Sequence, residues 1–266
     1  MSEPQFSMIE RTPTYRLVYN AIQNEILSGR LGVGDRLPSE TALADQLGVN
    51  RSTVREGIRL LEESGLVARS GGRRPRVALP HFLDLASRAS RALVLHAVTF
   101  RELWEAAVLI EPATAEYAAT RIGPRHLDRL AANIEEMAEL VERVESGEEI
   151  PADAFVAVDA EFHNIISEGA NNRVLSLARE PVSRLFIPAG RIILPRLKTH
   201  RRVLDAHLRL YRALSEGDAE TVRTWMKRHM EDFKRGYDRT GLSIDMPLDA
   251  ASIGQDLLAT PETAAG

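Results

Sequence analysis

Long amphipathic stretches rich in alanine and leucine fill the chain from about residue 81 to residue 240. Apolar residues recur in them at helical spacing, and none shows the strict alternation of a half-buried strand. The pattern predicts helices over residues 82–97, 99–121, 124–146, 152–169, 171–194, 197–216 and 218–238. We therefore expect a mainly α protein whose second domain, residues 81–240, is an all-helical antiparallel bundle.

Two features limit the regularity of this bundle. Pro181, Pro188 and Pro195 fall in one apolar helical stretch. Proline lacks the N–H that a helix uses and its ring clashes with the preceding turn, so this helix should be kinked or broken. From about Gly241 the sequence is small and polar, which predicts a disordered tail over residues 241–266.

The first 80 residues follow a different pattern. They predict three short helices, with Ser39 capping the second, Gly48 ending it and Asn50 capping the third. The segments "LVARS" and "PRVAL" then predict two strands joined by "GGRR". Helix, helix, turn, helix and hairpin is the order of a winged helix-turn-helix, which we assign to residues 1–80.

Charge is distributed unevenly along the chain. The net charge of the whole chain is −4, but residues 51–76 contain seven arginines and three glutamates. A local basic excess favours a polyanionic partner. The third helix begins with Arg51, Ser52, Thr53 and Arg55, whose side chains suit guanine edges and phosphates in a major groove. In the hairpin, Gly72 and Arg73 would approach the DNA backbone.

Composition excludes several classes of protein. A chain of 266 residues suggests about two domains. The absence of cysteine excludes disulfides, thiolate metal sites and a cysteine nucleophile. No apolar run reaches the roughly 18 residues of a membrane span, and the first residues lack a secretory signal pattern, so we expect a cytoplasmic protein without membrane contact.

Four side chains in the predicted bundle suggest a metal site. Asp159 and His163 are four residues apart and therefore share one helical face. His207 and His229 lie on two further predicted helices, beside apolar residues that face the interior. One carboxylate and three imidazoles suit a divalent transition metal such as zinc. Taken singly, each histidine is more often an ordinary core or surface residue.

The N-terminal part resembles a known family. The segment "YNAIQNEILSGRLGVGDRLPSETALADQLGVNRSTVREGIRLLEESGLV" is similar to the DNA-binding domain of the GntR family of bacterial regulators. The resemblance implies that the protein binds palindromic operator DNA as a homodimer. It also implies that the contacts come from the following residues: Arg51, Ser52, Thr53 and Arg55, supported by Arg36, Ser39 and Gly72.

The C-terminal part resembles the ligand-binding FCD domain of the FadR-type GntR subgroup, through "DAEFHNIISEGANN" and "AHLRLYRALSEGDAETVRTWMKRHM". This resemblance implies four metal ligands: Asp159, His163, His207 and His229. It also implies an effector, an organic or sugar acid. The subgroup often binds the effector carboxylate with an arginine four residues before a glutamate of the first bundle helix. Ala107 takes that place here, so we expect Arg101 or Arg191 to substitute.

These patterns lead to one functional prediction and two alternatives. We expect a transcription regulator, a repressor, whose operator affinity is controlled by a small metabolite bound near a metal. One alternative is a metal-dependent hydrolase with an accessory DNA-binding module. No further acid or base stands at a recognisable spacing from the four ligands, which counts against an enzyme. The other alternative is a metal-free regulator whose histidines are polar core residues.

Overall fold

The computed structural model describes residues 12–69, 74–80 and 82–248. The chain divides into two compact units, and the division falls after residue 81. Each unit has its own hydrophobic core, and the core of the second is the larger.

The described part of the N-terminal unit contains three helices and a two-stranded antiparallel sheet. These elements are α1 (Thr14–Leu27), α2 (Glu40–Leu47), α3 (Arg51–Glu63), β1 (Val67–Ala68) and β2 (Arg76–Val77). The Ser39 hydroxyl accepts a hydrogen bond from the backbone N–H of Ala42, and Asn50 caps α3 in the same way. Gly48 ends α2 with a left-handed φ of 67°, which glycine adopts without strain. The predicted winged helix-turn-helix is confirmed.

The buried face of α3 determines how the helix is presented. Val54, Ile58 and Leu61 are fully buried, and α3 packs against α1. The two helices approach closely at Gly57, where a Cβ atom would lie 2.7 Å from Cγ1 of Val18. Because this face is fixed against the core, the opposite face of α3 points to solvent.

The described part of the C-terminal unit is entirely helical apart from loops. Its elements are α4 (Phe82–Leu95), α5 (Phe100–Arg121), α6 (Pro124–Glu145), α7 (Ala152–Gly169), α8 (Arg173–Leu197), α9 (His200–Glu216) and α10 (Ala219–Arg239). Helix α5 packs against α10, α8 and α7, and α6 packs against α7 and α9. The predicted helical domain is confirmed. None of the described helices combines the length and apolar character needed to cross a membrane.

Helix α8 was predicted to be kinked or broken, and it is not broken at any of its three prolines. It runs from Arg173 to Leu197 with Pro181, Pro188 and Pro195 inside it. Each proline removes one backbone hydrogen bond. Helix α8 packs against α4, α5 and α7. The free energy of this packing outweighs the tendency of proline to break a helix.

Residues 241–248 were predicted as the start of a disordered tail, but they form hydrogen bonds with the first turn of α5 and with the loop just before it. The N–H of Leu248 donates to the carbonyl of Val98 over 2.8 Å, and the N–H of Arg101 donates to the carbonyl of Ile244 over 2.9 Å. Ile244 and Leu242 also pack against an apolar cluster that includes Phe100. These contacts explain the order of a segment that is polar on average. The rest of the predicted tail lies outside the described residues.

Candidate metal centre and nucleic-acid interface

The four predicted metal ligands converge on one point. Asp159 and His163 lie on α7, His207 on α9 and His229 on α10, and one ligand atom from each lies within 4.8 Å of the others. The Nε2 atom of His229 is 3.3 Å from Nε2 of His163 and 3.4 Å from Nε2 of His207. Two atoms that each bind a tetrahedral metal at about 2.1 Å are about 3.4 Å apart. The spacing of the imidazoles therefore fits a shared ion.

Burial keeps two of these imidazoles neutral. It lowers the pKa of His229 to about 3 and that of His207 well below its usual value, and the other imidazoles add to the effect. Burial also raises the pKa of Asp159. Neutral imidazoles offer a lone pair to a metal, whereas protonated imidazoles cannot. The donor set suits a divalent first-row transition metal.

A buried ion pair between Glu111 and Arg179 contacts the candidate ligand His163 on the side away from the metal site. Oε2 of Glu111, on α5, lies 3.3 Å from Nδ1 of His163, and its Oε1 accepts a hydrogen bond from Nε of Arg179 over 2.7 Å. Burial alone would raise the pKa of Glu111, but the charges of Arg179 and His163 and their hydrogen bonds lower it to about 2. An ionised Glu111 holds the Nδ1–H tautomer of His163 and leaves Nε2 for a metal.

His207 is oriented differently. Its ring is fully buried and stacks on Phe162, with the centroids 3.8 Å apart and the planes 9° apart. Its Nδ1 atom has no hydrogen-bond partner among the described residues. Packing, rather than a second hydrogen bond, therefore fixes the direction of Nε2 in His207.

A cavity of about 190 Å³ adjoins three of the four ligands, Asp159, His163 and His229. Glu111, Asp159, His163, Arg179 and His229 line its polar end. Farther along α8 and α10, the lining is largely apolar, with Phe186, Ile187, Ile193, Met230 and Phe233 as its main side chains. The same two helices also contribute four polar residues: Ser183, Asp232, Arg235 and Arg239. The cavity therefore joins a cluster of ligating and charged groups to an apolar space.

The two arginines predicted to bind an effector do not line this cavity. Arg101 forms an ion pair with Asp245, and Arg191 forms one with Asp153; both arginines remain partly exposed. The structure brings Arg179 to the cavity instead, a residue that the sequence analysis did not select. The available signal was Glu111, an acid within the apolar run "VLIEPAT", which needs a buried cation nearby.

The predicted DNA-contacting residues of α3 stand at its solvent-facing N-terminal end. Arg51 is exposed and makes no hydrogen bond or ion pair with any residue that the structure describes. Arg55 pairs with Glu40, with Nη2 2.9 Å from Oε2. The hydroxyls of Ser52 and Thr53 both donate to Oδ1 of Asn50, over 2.7 Å and 2.8 Å. The helix cap thus orients both hydroxyls.

The other residues predicted to contact DNA lie outside α3. Arg36 is exposed and lies opposite Arg76 in an isolated backbone bridge. Ser39 caps α2 through its hydroxyl, 3.1 Å from the N–H of Ala42. Gly72 and Arg73 lie outside the described residues.

Two family descriptions match the chain. Residues 14–77 match the bacterial regulatory proteins of the gntR family, and residues 102–232 match the FCD domain. The first match covers the winged helix-turn-helix, and the second covers all four candidate metal ligands. This division follows the two compact units of the fold.

Individual relatives agree with these matches. The HTH-type transcriptional regulator LutR of Bacillus subtilis (strain 168) is 29% identical over 220 residues, 80% of this chain and 97% of that protein. The Glc operon transcriptional activator of Escherichia coli (strain K12) is 25% identical over 230 residues, 85% of this chain and 89% of that protein.

A solved structure, described as Streptococcus agalactiae GntR, has the same fold. It superposes with a TM-score of 0.54 at 20% identity, covering 83% of this chain and 99% of that one.

The prediction of a DNA-binding transcription regulator is confirmed, and the alternative of an enzyme is not supported. The chain belongs to the gntR family of bacterial regulatory proteins, and its C-terminal unit carries an FCD domain.

Proposed function

We propose that the protein is a cytoplasmic, homodimeric regulator whose affinity for palindromic operator DNA is set by a small acid bound beside a divalent metal in the FCD domain. The observation that carries this proposal is the convergence of four candidate ligands, three of which line the polar end of a cavity. The fourth, His207, lies behind them in the core. A ligand that enters this cavity meets both the candidate metal site and a buried arginine.

Four side chains would hold the metal: Asp159, His163, His207 and His229. The bound metal would supply a Lewis acid for an oxygen of the effector. Zinc suits a set of nitrogen and oxygen ligands of this kind. The ligands come from three helices, so metal binding would also link α7, α9 and α10.

Arg179 would receive the carboxylate of the effector. Its Nε atom is bonded to Glu111 and its Nη1 atom to Asn164, over 2.9 Å. Its Nη2 atom makes no hydrogen bond within the described chain, although Arg179 lines the cavity. A planar guanidinium with one free nitrogen suits a carboxylate. We therefore assign this role to Arg179 rather than to Arg101 or Arg191.

On the DNA side, α3 would enter the major groove with Arg51 and Arg55 directed at base edges. Ser52 and Thr53 would contact the DNA with the hydroxyls that Asn50 orients, while Arg36 and Ser39 would contact phosphates. One short helix reads too few base pairs to select an operator, so two copies would bind two half-sites.

The effector would bind the DNA-binding state of the protein and a state with lower operator affinity with different affinities. A ligand shifts an equilibrium between two states only when its affinities for them differ. Fluorescence anisotropy tests this on an operator that the full-length protein selects from random duplexes. A panel of small organic acids is added with and without zinc. We expect an acid to change operator affinity only when metal is bound.

The variant His207→Ala should bind the operator but lose the response to the acid, because the DNA-binding residues lie in the other unit. His126→Ala is the matched control, since His126 is a histidine outside the cluster. A full response in metal-free His207→Ala protein would contradict the proposal.

A further inference from the structure

Beyond its polar end, the cavity beside the metal ligands is lined mainly by apolar side chains. Six polar residues also line it: Ser183, Thr199, Arg202, Asp232, Arg235 and Arg239. Asp232 is already paired with Arg202 and Arg235. Past Arg179 and His229, the walls formed by α8 and α10 present Phe186, Ile193 and Phe233. These side chains offer neither a donor nor an acceptor. Each hydroxyl of a sugar acid placed against these three side chains would lose its hydrogen bonds to water without replacement. This part of the wall therefore favours a ligand with an apolar body over one with a polyhydroxyl body.

Aromatic rings form part of this apolar wall. Phe186 and Phe233 meet edge to face, with centroids 5.3 Å apart and planes at 69°. Phe155 also lines the cavity from α7. Aromatic rings prefer such edge-to-face or offset arrangements, so a ligand ring could extend the same packing.

The volume of the cavity further limits which ligands can fit. An engineered apolar cavity of about 150 Å³ in another protein binds benzene. The cavity here, about 190 Å³, has room for one six-membered ring together with a carboxyl group. An acid of two or three carbons would occupy the polar end and leave the apolar wall uncovered.

We propose that the effector is a carboxylic acid with an apolar body of about one six-membered ring. Its carboxylate lies at the end formed by Arg179 and the metal, and its body lies between α8 and α10. This inference rests on the proposed function, because the same metal site binds the head of the ligand. It adds the part of the ligand that determines specificity.

Three acids with one common head test the inference. Lactate, 3-phenyllactate and gluconate all carry an α-hydroxycarboxylate, and they differ only in having a small, an aromatic or a polyhydroxyl body. Titration calorimetry on full-length, zinc-loaded protein compares their affinities. We expect 3-phenyllactate to bind roughly 10- to 100-fold more tightly than lactate, from burial of the ring. Gluconate should bind no more tightly than lactate.

A variant that fills the apolar space gives an independent measurement. Ile187→Trp, two helical turns beyond Arg179, should remove most of the preference for 3-phenyllactate while retaining zinc and lactate binding. Val174→Trp is the control, because Val174 is exposed on the same helix and does not line the cavity. If Ile187→Trp does not fold, the comparison of the three acids on the wild type decides alone.

Zinc content is measured first, so that two failures are separated. Absence of zinc binding by the wild type would overturn the proposed function and this inference with it. One zinc per chain with lactate or gluconate binding as tightly as 3-phenyllactate would overturn the inference alone. So would a failure of 3-phenyllactate to bind the zinc-loaded protein.

Discussion

Glu111 contacts His163 through one carboxylate oxygen, 3.3 Å from Nδ1, and Arg179 through the other, 2.7 Å from Nε. The three residues come from α5, α7 and α8, and all are buried. A carboxylate bonded on both oxygens is held in one position. Removing its charge would leave Arg179 as a buried cation without an ion-pair partner.

The variant Glu111→Gln tests this arrangement with little change in shape. We expect metal affinity to fall about 10- to 100-fold, as is usual when a residue that orients a metal ligand is replaced. Competition with a chelating dye measures the change. Glu116→Gln on the same helix is the control, because Glu116 is more exposed and pairs with Arg223. Unchanged zinc affinity in Glu111→Gln would show that His163 does not need this support.

Metal binding should raise the thermal stability of the C-terminal unit. A ligand present at 100 times its dissociation constant, and binding only the folded state, stabilises by about 2.7 kcal/mol. Differential scanning calorimetry of wild type with and without zinc should show this gain. His207→Ala should show none, while His126→Ala should behave as wild type. The same melting temperature for wild type in zinc and in chelator would refute a metal that stabilises the fold.

Two arginines on α3 should differ in their effect on DNA binding. Arg51 has no hydrogen bond within the described chain, whereas Arg59 pairs with both Glu56 and Glu63. Arg51→Ala should cost about 1 to 3 kcal/mol at the operator and less on scrambled DNA. Arg59→Ala should change neither greatly. Anisotropy titrations at fixed salt compare them, and equal losses on both DNAs for Arg51→Ala would exclude base readout.

Gly57→Ala should destabilise the N-terminal unit. Alanine gains about 1 kcal/mol of helix propensity over glycine. The added Cβ atom, however, would lie 2.7 Å from Cγ1 of Val18 and 3.0 Å from the carbonyl oxygen of Tyr15, which belongs to the backbone of α1. Overpacking of this kind costs about 1 to 3 kcal/mol. Calorimetry measures the balance, with Glu56→Ala at the half-exposed neighbouring position as control. A higher melting temperature for Gly57→Ala would contradict the prediction.

Features with a local cause were predictable from the sequence. The capping roles of Ser39 and Asn50, and the ends of most helices, depend on residues within one turn of each other. The convergence of Asp159 and His163 follows from a spacing of four on one helix. The positions of His207 and His229 on inward faces followed from the apolar stripe of each helix.

Features that depend on distant pairing were not predictable. Glu111 and Arg179 are 68 residues apart, and Arg101 and Asp245 are 144 apart. No local pattern specifies such pairs. The sequence therefore could not show that Arg179, rather than Arg101, lines the cavity. The continuity of α8 through Pro181 also depends on neighbouring helices. The order of residues 241–248 depends likewise on the surface of α5.

The candidate centre draws on five helices: α7, α9 and α10 supply the ligands, while α5 and α8 supply Glu111 and Arg179. In a genetic selection for cells that no longer respond to the effector, alleles should therefore fall into two phenotypic groups. Alleles of the metal ligands should be unresponsive and also temperature-sensitive, because the same substitutions loosen the junction of these helices. Alleles of the apolar wall, such as Ile187→Trp, should be unresponsive at every growth temperature at which the parent strain survives.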